Sequence, residues 1–209
     1  MTSLLSPGSA DALLFDLGRV VLDIDFSKAI TCWAGHAGCE PQSIVARYVR
    51  DSEAYRLHEM GKISDEAYFD SLRRSLGIEI SDAQFLEGWN AIFAGEMPDI
   101  ANLLPRAAQH VPLYAFSNTN RPHVEYFSKE YADVLGHFRD LYLSSSIGLR
   151  KPDAEAFDHV VAAIGLPAQR IVFFDDLAEN VEGARARGLT AVHVTSPRDV
   201  GEALRALGI

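Results

Sequence analysis

Two rhythms of apolar residues alternate along the chain. Short unbroken apolar runs that stop on or just before a polar residue occur at Ala12-Leu13-Leu14-Phe15-Asp16, Pro112 to Ser117, Leu141 to Ser144 and Ile171 to Asp176, and a looser one, broken by His193, at Thr190 to Val194. Runs of this length bounded by turn residues predict strands covered on both faces. Between them, apolar residues at three- and four-residue spacing predict helices over Ile100–His110, Ala154–Ile164 and Asn180–Arg187, the last closed by Gly188. Strand and helix in alternation imply right-handed crossovers and an α/β fold, a parallel sheet with helices on both faces.

One interruption organises the rest. After the first run, Val20 to Asp25 alternates in character and predicts a short extended flap. Helical periodicity then fills Phe26–His36, Pro41–Arg50, Ser64–Leu76 and Ser81–Phe93, with Ser64 as an N-cap and Ser81-x-x-Gln84 as a capping box. Four helices in a row without a strand predict an inserted bundle. Its limits fall near Phe26 and Met97, where Pro98 opens the next segment. The expected organisation is therefore a core of residues 1–25 and 97–209 and a helical insert of residues 26–96.

Composition narrows the class. A chain of 209 residues with 48% hydrophobic and 23% charged residues can bury a real core. Nineteen Lys and Arg against 29 Asp and Glu, scattered rather than clustered, argue against a nucleic-acid partner. Cys32 and Cys39 have neither metal-type spacing nor a disulfide framework, which suits a reducing cytoplasm, and they read as plain thiols. The first eleven residues lack a basic leader, and nowhere do eighteen apolar residues run together, so no membrane association is expected. The chain reads as a monomer or weak dimer.

The chemistry lies where the apolar runs end. Parallel strands all point the same way, so Asp16, Ser117 and the Asp175-Asp176 pair come to one edge, the edge at which parallel α/β sheets bind ligands. Carboxylates gathered in a crevice repel unless a cation sits among them. The groups at hand are oxygens, which favours Mg²⁺ over Zn²⁺. Ser117-Asn118-Thr119-Asn120 offers hydroxyls, amides and backbone N–H groups at the start of a helix, an anion cradle. Lys151, in Gly148-Leu149-Arg150-Lys151-Pro152, follows the third core strand and opens a helix with Pro152 in its first turn. Each feature alone has a structural explanation: a helix cap, a solvated lysine, acids that favour a helix N-terminus. Together, in this order on successive strands, they compose a phosphoryl-transfer set.

The series Phe15-Asp16-Leu17-Gly18, Ser117-Asn118-Thr119-Asn120, Arg150-Lys151-Pro152 and Phe173-Phe174-Asp175-Asp176 resembles the haloacid dehalogenase superfamily of hydrolases. Val21-x-Asp23-Ile24-Asp25-Phe26, His58-Glu59-x-Gly61-x-Ile63-Ser64-Asp65 and Asn120-Arg121 narrow the resemblance to its bacterial α-D-glucose-1-phosphate phosphatases. The resemblance implies a Rossmann-like core with an α-helical cap, and hydrolysis of a small phosphorylated substrate such as a hexose 1-phosphate. It implies Asp16 as the nucleophile, Ser117 and Asn118 as ligands of the phosphoryl oxygens, and Lys151 as the neutralising cation. Asp16, the Gly18 carbonyl and Asp176 would bind Mg²⁺, with Asp175 a direct or a water-mediated ligand.

One departure stands out. Most phosphatases of the superfamily carry a second aspartate two positions after the nucleophile as general acid and base, and here that position is Gly18. Asp23, Asp25 and His58 are the candidate substitutes, each with a structural alternative. Arg19 also stands where the narrower group has asparagine. The missing acid leaves two other readings open: a 2-haloacid dehalogenase, which shares the gap, and a non-catalytic binding protein of the same fold.

Overall fold

The computed structural model describes residues 5–49 and 52–209. The chain enters through β1 (Ala12–Phe15) and a short β2 (Leu22–Ile24). It then runs through α1 (Phe26–Ala37), α2 (Pro41–Val45), α3 (Glu53–Glu59), α4 (Asp65–Leu76) and α5 (Asp82–Asn90) to β3 (Phe93–Glu96). Alternation follows, through α6 (Pro98–Ala107), β4 (Leu113–Ser117), α7 (Arg121–Glu130), α8 (Ala132–Leu135), β5 (Asp140–Leu143) and α9 (Ser144–Ile147). The chain finishes with α10 (Ala154–Ile164), β6 (Ile171–Asp175), α11 (Ala178–Ala186), β7 (Thr190–His193) and α12 (Pro197–Leu207).

The sheet order is β5-β4-β1-β6-β7, every neighbouring pair parallel, so β1 lies at the centre. The central strands β1, β4 and β6 are buried at every position because both faces are covered, whereas the edge strands β5 and β7 each carry an exposed residue. Leu13, Phe15, Leu113, Ala115, Val172 and Phe174 face a layer completed by α6, α7 and α12. Their neighbours Leu14, Tyr114, Phe116, Ile171 and Phe173 face α10 and α11. Register pairs Phe15 with both Ala115 and Phe174, which brings the residues just beyond β1, β4 and β6 to one edge. This is the expected Rossmann-like α/β core.

The helices α1 to α5 enclose a third apolar cluster built on Trp33, Phe69, Phe85 and Trp89. Trp33 stacks on Phe85 at 4.7 Å and donates its indole N–H to the Phe85 carbonyl at 2.9 Å. Entry and exit to this unit are paired, since β2 and β3 run antiparallel. The unit is bonded to the core sheet's side as well. Trp89 Nε1 donates to Asn120 Oδ1 at 3.1 Å, and Ser144 Oγ donates to the Glu59 carbonyl at 2.7 Å. Gly61 is required at that contact: its φ is +65°, and a Cβ there would lie 2.6 Å from the Ser145 carbonyl oxygen.

Several expected boundaries move. The helix expected over Pro41–Arg50 ends at Val45, and Arg50 itself lies outside the described residues. The helix expected over Ser81–Phe93 begins at Asp82, with the capping box formed, and stops at Asn90. Phe93 instead opens β3, whose Gly95 at φ +138° fits no helix. Pro152 sits outside α10, which starts at Ala154, and the Lys151–Pro152 bond is cis. Neither α3 nor α12 was expected. The buried positions of α3 are His58 and Glu59, whereas α12 packs Val200, Ala203, Leu204 and Leu207 onto the core. Among the described residues no helix is long and apolar enough to cross a membrane.

Candidate active site

Asp16 extends β1 by one residue, its N–H bonding the Phe174 carbonyl at 2.8 Å, and the chain then turns sharply. Leu22 N–H returns to the Leu17 carbonyl at 2.8 Å, and Arg19 takes a left-handed φ of +60° to close the turn. The Asp16 carboxylate is thereby held at the sheet edge, with Oδ1 accepting the Leu17 N–H at 2.8 Å.

Lys151 reaches the same oxygen from the neighbouring loop. Its side chain is 1% exposed, and Nζ lies 2.9 Å from Asp16 Oδ1 and 2.6 Å from Asp175 Oδ2, over the rings of Phe116 and Phe173. The lysine is fixed from behind as well. Asn118 Oδ1 accepts the Lys151 N–H, and Asn118 Nδ2 donates to the Lys151 carbonyl, both at 2.9 Å. Asp175 is fully buried, and its oxygens accept from Leu177 N–H, from Asn180 Nδ2 and from Lys151. Asp176, half-buried, has the Arg19 guanidinium 3.9 Å away.

Asp16, Asp175 and Asp176 present carboxylate oxygens within 4.8 Å of one another. Burial first, then the charges of Asp175 and Asp176, push the Asp16 carboxyl up to about 7 in spite of Lys151. Burial and Asp175 raise Asp176 too. Burial opposes the charge on Lys151, yet the two carboxylates beside it hold its pKa above the ordinary value. Carboxylates whose ionisation is this unfavourable make a donor set that fits a hard divalent cation.

Two details of the expected cradle change. The helix after β4 begins at Arg121 with Asn120 as its N-cap, so Ser117 and Asn118 precede it rather than open it. Thr119 N–H is taken by Ser144 Oγ at 2.8 Å, and the Asn118 side chain is spent on Lys151. What Asn118 offers an anion is its backbone N–H, beside the Ser117 hydroxyl.

Above these groups lies a cavity of about 370 Å³. Its floor carries Asp16, Gly18, Ser117, Asn118, Lys151 and Asp176, and its roof is built from Ile24, Phe26, Tyr48, Tyr55, Ile92 and Phe93. The three candidate substitutes for the missing acid do not line it. Asp25 caps α1, accepting from Ser27 N–H and Oγ, and those bonds hold its carboxyl below the usual range. Asp23 is exposed on β2. His58 is buried behind the cavity, stacked on Tyr68 at 4.3 Å and paired with Asp65 at 2.9 Å.

The cavity also contains residues for which the sequence suggested no role. Glu59 pairs with Arg150 at 3.0 Å, and His123 bonds Asn120 through Nδ1 and the Trp89 carbonyl through Nε2. Burial drives the His123 pKa down to about 3, so the ring is neutral. Arg150 was legible only as the neighbour of Lys151. Far from this cavity's floor, Cys32, His36 and Glu87 also converge on the outside of the helical unit, where the 3.0 Å His36–Glu87 contact accounts for the approach.

Comparison with known proteins agrees with this geometry. A family model for haloacid dehalogenase-like hydrolases matches residues 10–188. The chain is 29% identical to the sesquiterpene phosphatase astK of Aspergillus oryzae over 69% of its own length and 74% of that protein. It is 26% identical to a D-ribitol-5-phosphate phosphatase of Bacteroides thetaiotaomicron over 84% of its own length and 87% of the relative. A drimenol cyclase of Aspergillus calidoustus, drtB, is 25% identical over 87% of this chain, which spans only 33% of the cyclase. Among solved structures, a HAD-family enzyme of Bacteroides thetaiotaomicron in complex with magnesium and inorganic phosphate superposes with a TM-score of 0.76 at 25% identity, covering 88% of this chain and 93% of that one.

Proposed function

The chain belongs to the haloacid dehalogenase-like hydrolases, and from that premise we propose that it is a magnesium-dependent phosphatase that cleaves a small phosphate monoester through an aspartyl-phosphate on Asp16. The observation that carries the reading is Lys151, a buried cation that ties the carboxylate of Asp16 to that of Asp175 at the ends of adjacent strands.

The Asp16 carboxylate, oriented through Oδ1 by the Leu17 N–H and Lys151, is the group that attacks phosphorus. The phosphorus–oxygen bond to the alcohol breaks as the bond to Asp16 forms, and the departing oxygen takes up a proton from solvent water. Water then attacks the same phosphorus, which releases inorganic phosphate and restores the carboxylate. The Ser117 hydroxyl, the Asn118 N–H and Lys151 receive the phosphoryl oxygens, and their service is positioning and charge neutralisation. Asp16, Asp176 and the Gly18 carbonyl would hold Mg²⁺, which when bound supplies the charge that keeps Asp16 ionised against its neighbours. Asp175, saturated by hydrogen bonds, orients Lys151 rather than ligating directly. Residues 26–96 act as a cap over the catalytic unit of residues 1–25 and 97–209, and this roof restricts the enzyme to small substrates.

Position 18 has no carboxyl to protonate the departing oxygen, so the site favours leaving groups that need little help. The hexose 1-phosphate suggested by the motifs meets that demand, because an anomeric oxygen leaves more readily than a primary alcohol. Its hydroxyls, however, face a roof with few groups to receive them. The relatives' substrates point in two directions, a sesquiterpene phosphate and a sugar alcohol phosphate.

The test is phosphate release from acetyl phosphate and p-nitrophenyl phosphate with and without Mg²⁺. We expect turnover that needs Mg²⁺ and stops with chelator. Undiminished phosphate release in excess EDTA would remove the metal from the reading. Absence of phosphate release from both compounds would remove the phosphatase and leave the dehalogenase and the binding protein, which chloride release from a 2-haloacid separates.

A further inference from the structure

Resting on the phosphatase reading, we propose that the alcohol released is apolar, an alkyl, prenyl or aryl group rather than a polyol. The roof opposite Asp16 presents the hydrocarbon of Ile24, Phe26, Ile92 and Phe93 and the rings of Tyr48 and Tyr55. A sugar ring enclosed there would need a partner for each hydroxyl, since a buried hydroxyl without one weakens binding. Four polar side chains of that side already have partners. Burial and the hydrogen bond to Glu59 hold the Tyr55 phenol protonated, Glu59 pairs with Arg150, and both nitrogens of His123 are bonded. A carbon surface remains to meet the substrate. The charged groups at the other end serve the phosphate: Lys151 lies against Asp16, and Arg19 stands 3.9 Å from Asp176. The cavity of about 370 Å³ is of the size that encloses one small amphiphile, phosphate down and chain up.

Straight-chain primary alkyl monophosphates isolate this property, because their alcohols have nearly the same acidity and only the buried length changes. From ethyl to hexyl phosphate, kcat/KM with Mg²⁺ should rise by about fourfold per methylene until the roof is filled. Hexyl phosphate should also exceed glucose 6-phosphate, another primary ester. The hexyl-to-ethyl ratio should fall in Ile24→Asn and in Phe26→Ser. Such a ratio is measured within one preparation, so any misfolded fraction cancels.

A flat alkyl series, a glucose 6-phosphate rate equal to or above that of hexyl phosphate, or an unchanged ratio in both variants would overturn the proposal. Acetyl phosphate run in parallel separates the two levels. If acetyl phosphate is hydrolysed while the alkyl series is flat, the apolar alcohol falls and the phosphatase stands. If no ester is hydrolysed, both fall.

Discussion

The floor and the roof of the cavity are built on opposite plans. Asp16, Ser117, Asp175 and Asp176 sit on or just beyond the ends of core strands, and Lys151 is brought to them from the loop after α9. Asp175 alone accepts from Leu177, Asn180 and Lys151. The roof comes from β2, β3 and the helices between them, and its wall residues Ile24, Phe26 and Phe93 are half-buried apolar side chains. The contrast teaches where each task resides. Chemistry that needs charges fixed to a fraction of an ångström is placed on the sheet, and selectivity by shape and polarity is left to a surface that can change without disturbing it.

The sharpest way to break this division is at the nucleophile. Asp16→Asn should lower kcat by at least ~10³-fold, because an amide of the same size cannot form the acyl phosphate. Thermal unfolding of the variant should show no loss of stability, since an uneasily ionised carboxylate has been removed. Retention of measurable turnover in purified protein would remove Asp16 from its role.

Lys151→Met tests whether the floor is also a structural unit. Taking away one partner leaves Asp16 and Asp175 as buried carboxylates without a cation, a loss on the order of 3–5 kcal/mol, together with the activity. Denaturant titration at neutral pH measures it, and a shift below about 1 kcal/mol would mean the charges are better solvated than their burial implies.

The junction between roof and floor has a pH signature. Unfolded His123 takes up a proton near 6.5, whereas the folded ring stays neutral down to about 3. The folded state therefore binds fewer protons in that window, and its stability falls as pH drops through it, by about 1.4 kcal/mol per unit from this side chain. Burial lowers the His58 pKa as well, so that ring adds in the same direction. Melting curves of wild type and His123→Gln between pH 7 and 4 should diverge, with the wild type the steeper. Parallel curves would count against a neutral buried ring.

The smallest effect belongs to Arg19, the non-glycine residue with a left-handed φ among the described residues. Asparagine tolerates that conformation better, so Arg19→Asn should stabilise the fold by up to about 1 kcal/mol, less whatever the distant Asp176 contact contributes. A fall in melting temperature would show that the contact outweighs the backbone.

The same contrast governs what could be read from the chain. Asp16, Ser117 and the Asp175-Asp176 pair were legible because each adjoins an apolar run, so that predicting the strand also predicted the group's position, whereas Lys151 stands in a loop beyond α9 and was legible from its motif alone. The fate of Asn118 and Asp175 was not legible: their side chains are consumed by Lys151 and its surroundings, which depends on contacts across loops. Helix α3 escaped because its buried positions are His58 and Glu59 rather than apolar residues, and β3 because Phe93 and Gly95 follow a helix without a break in pattern. Helix α12 carries its own signal, Val200, Ala203, Leu204 and Leu207 behind Ser196-Pro197, but adjoins no chemical motif. The roof was hidden for a deeper reason. Its residues come from separate segments and have the composition of ordinary core, so nothing in their types distinguishes a wall from an interior.

The account's central claim is that phosphoryl transfer takes two steps through Asp16, and stereochemistry at phosphorus tests it most directly because no intermediate needs to accumulate. A phosphorothioate monoester made chiral with oxygen isotopes, hydrolysed in isotopically labelled water with Mg²⁺, should yield product with net retention, since each displacement inverts once. Net inversion would mean that water attacks the substrate directly, and the aspartyl-phosphate would have to be abandoned.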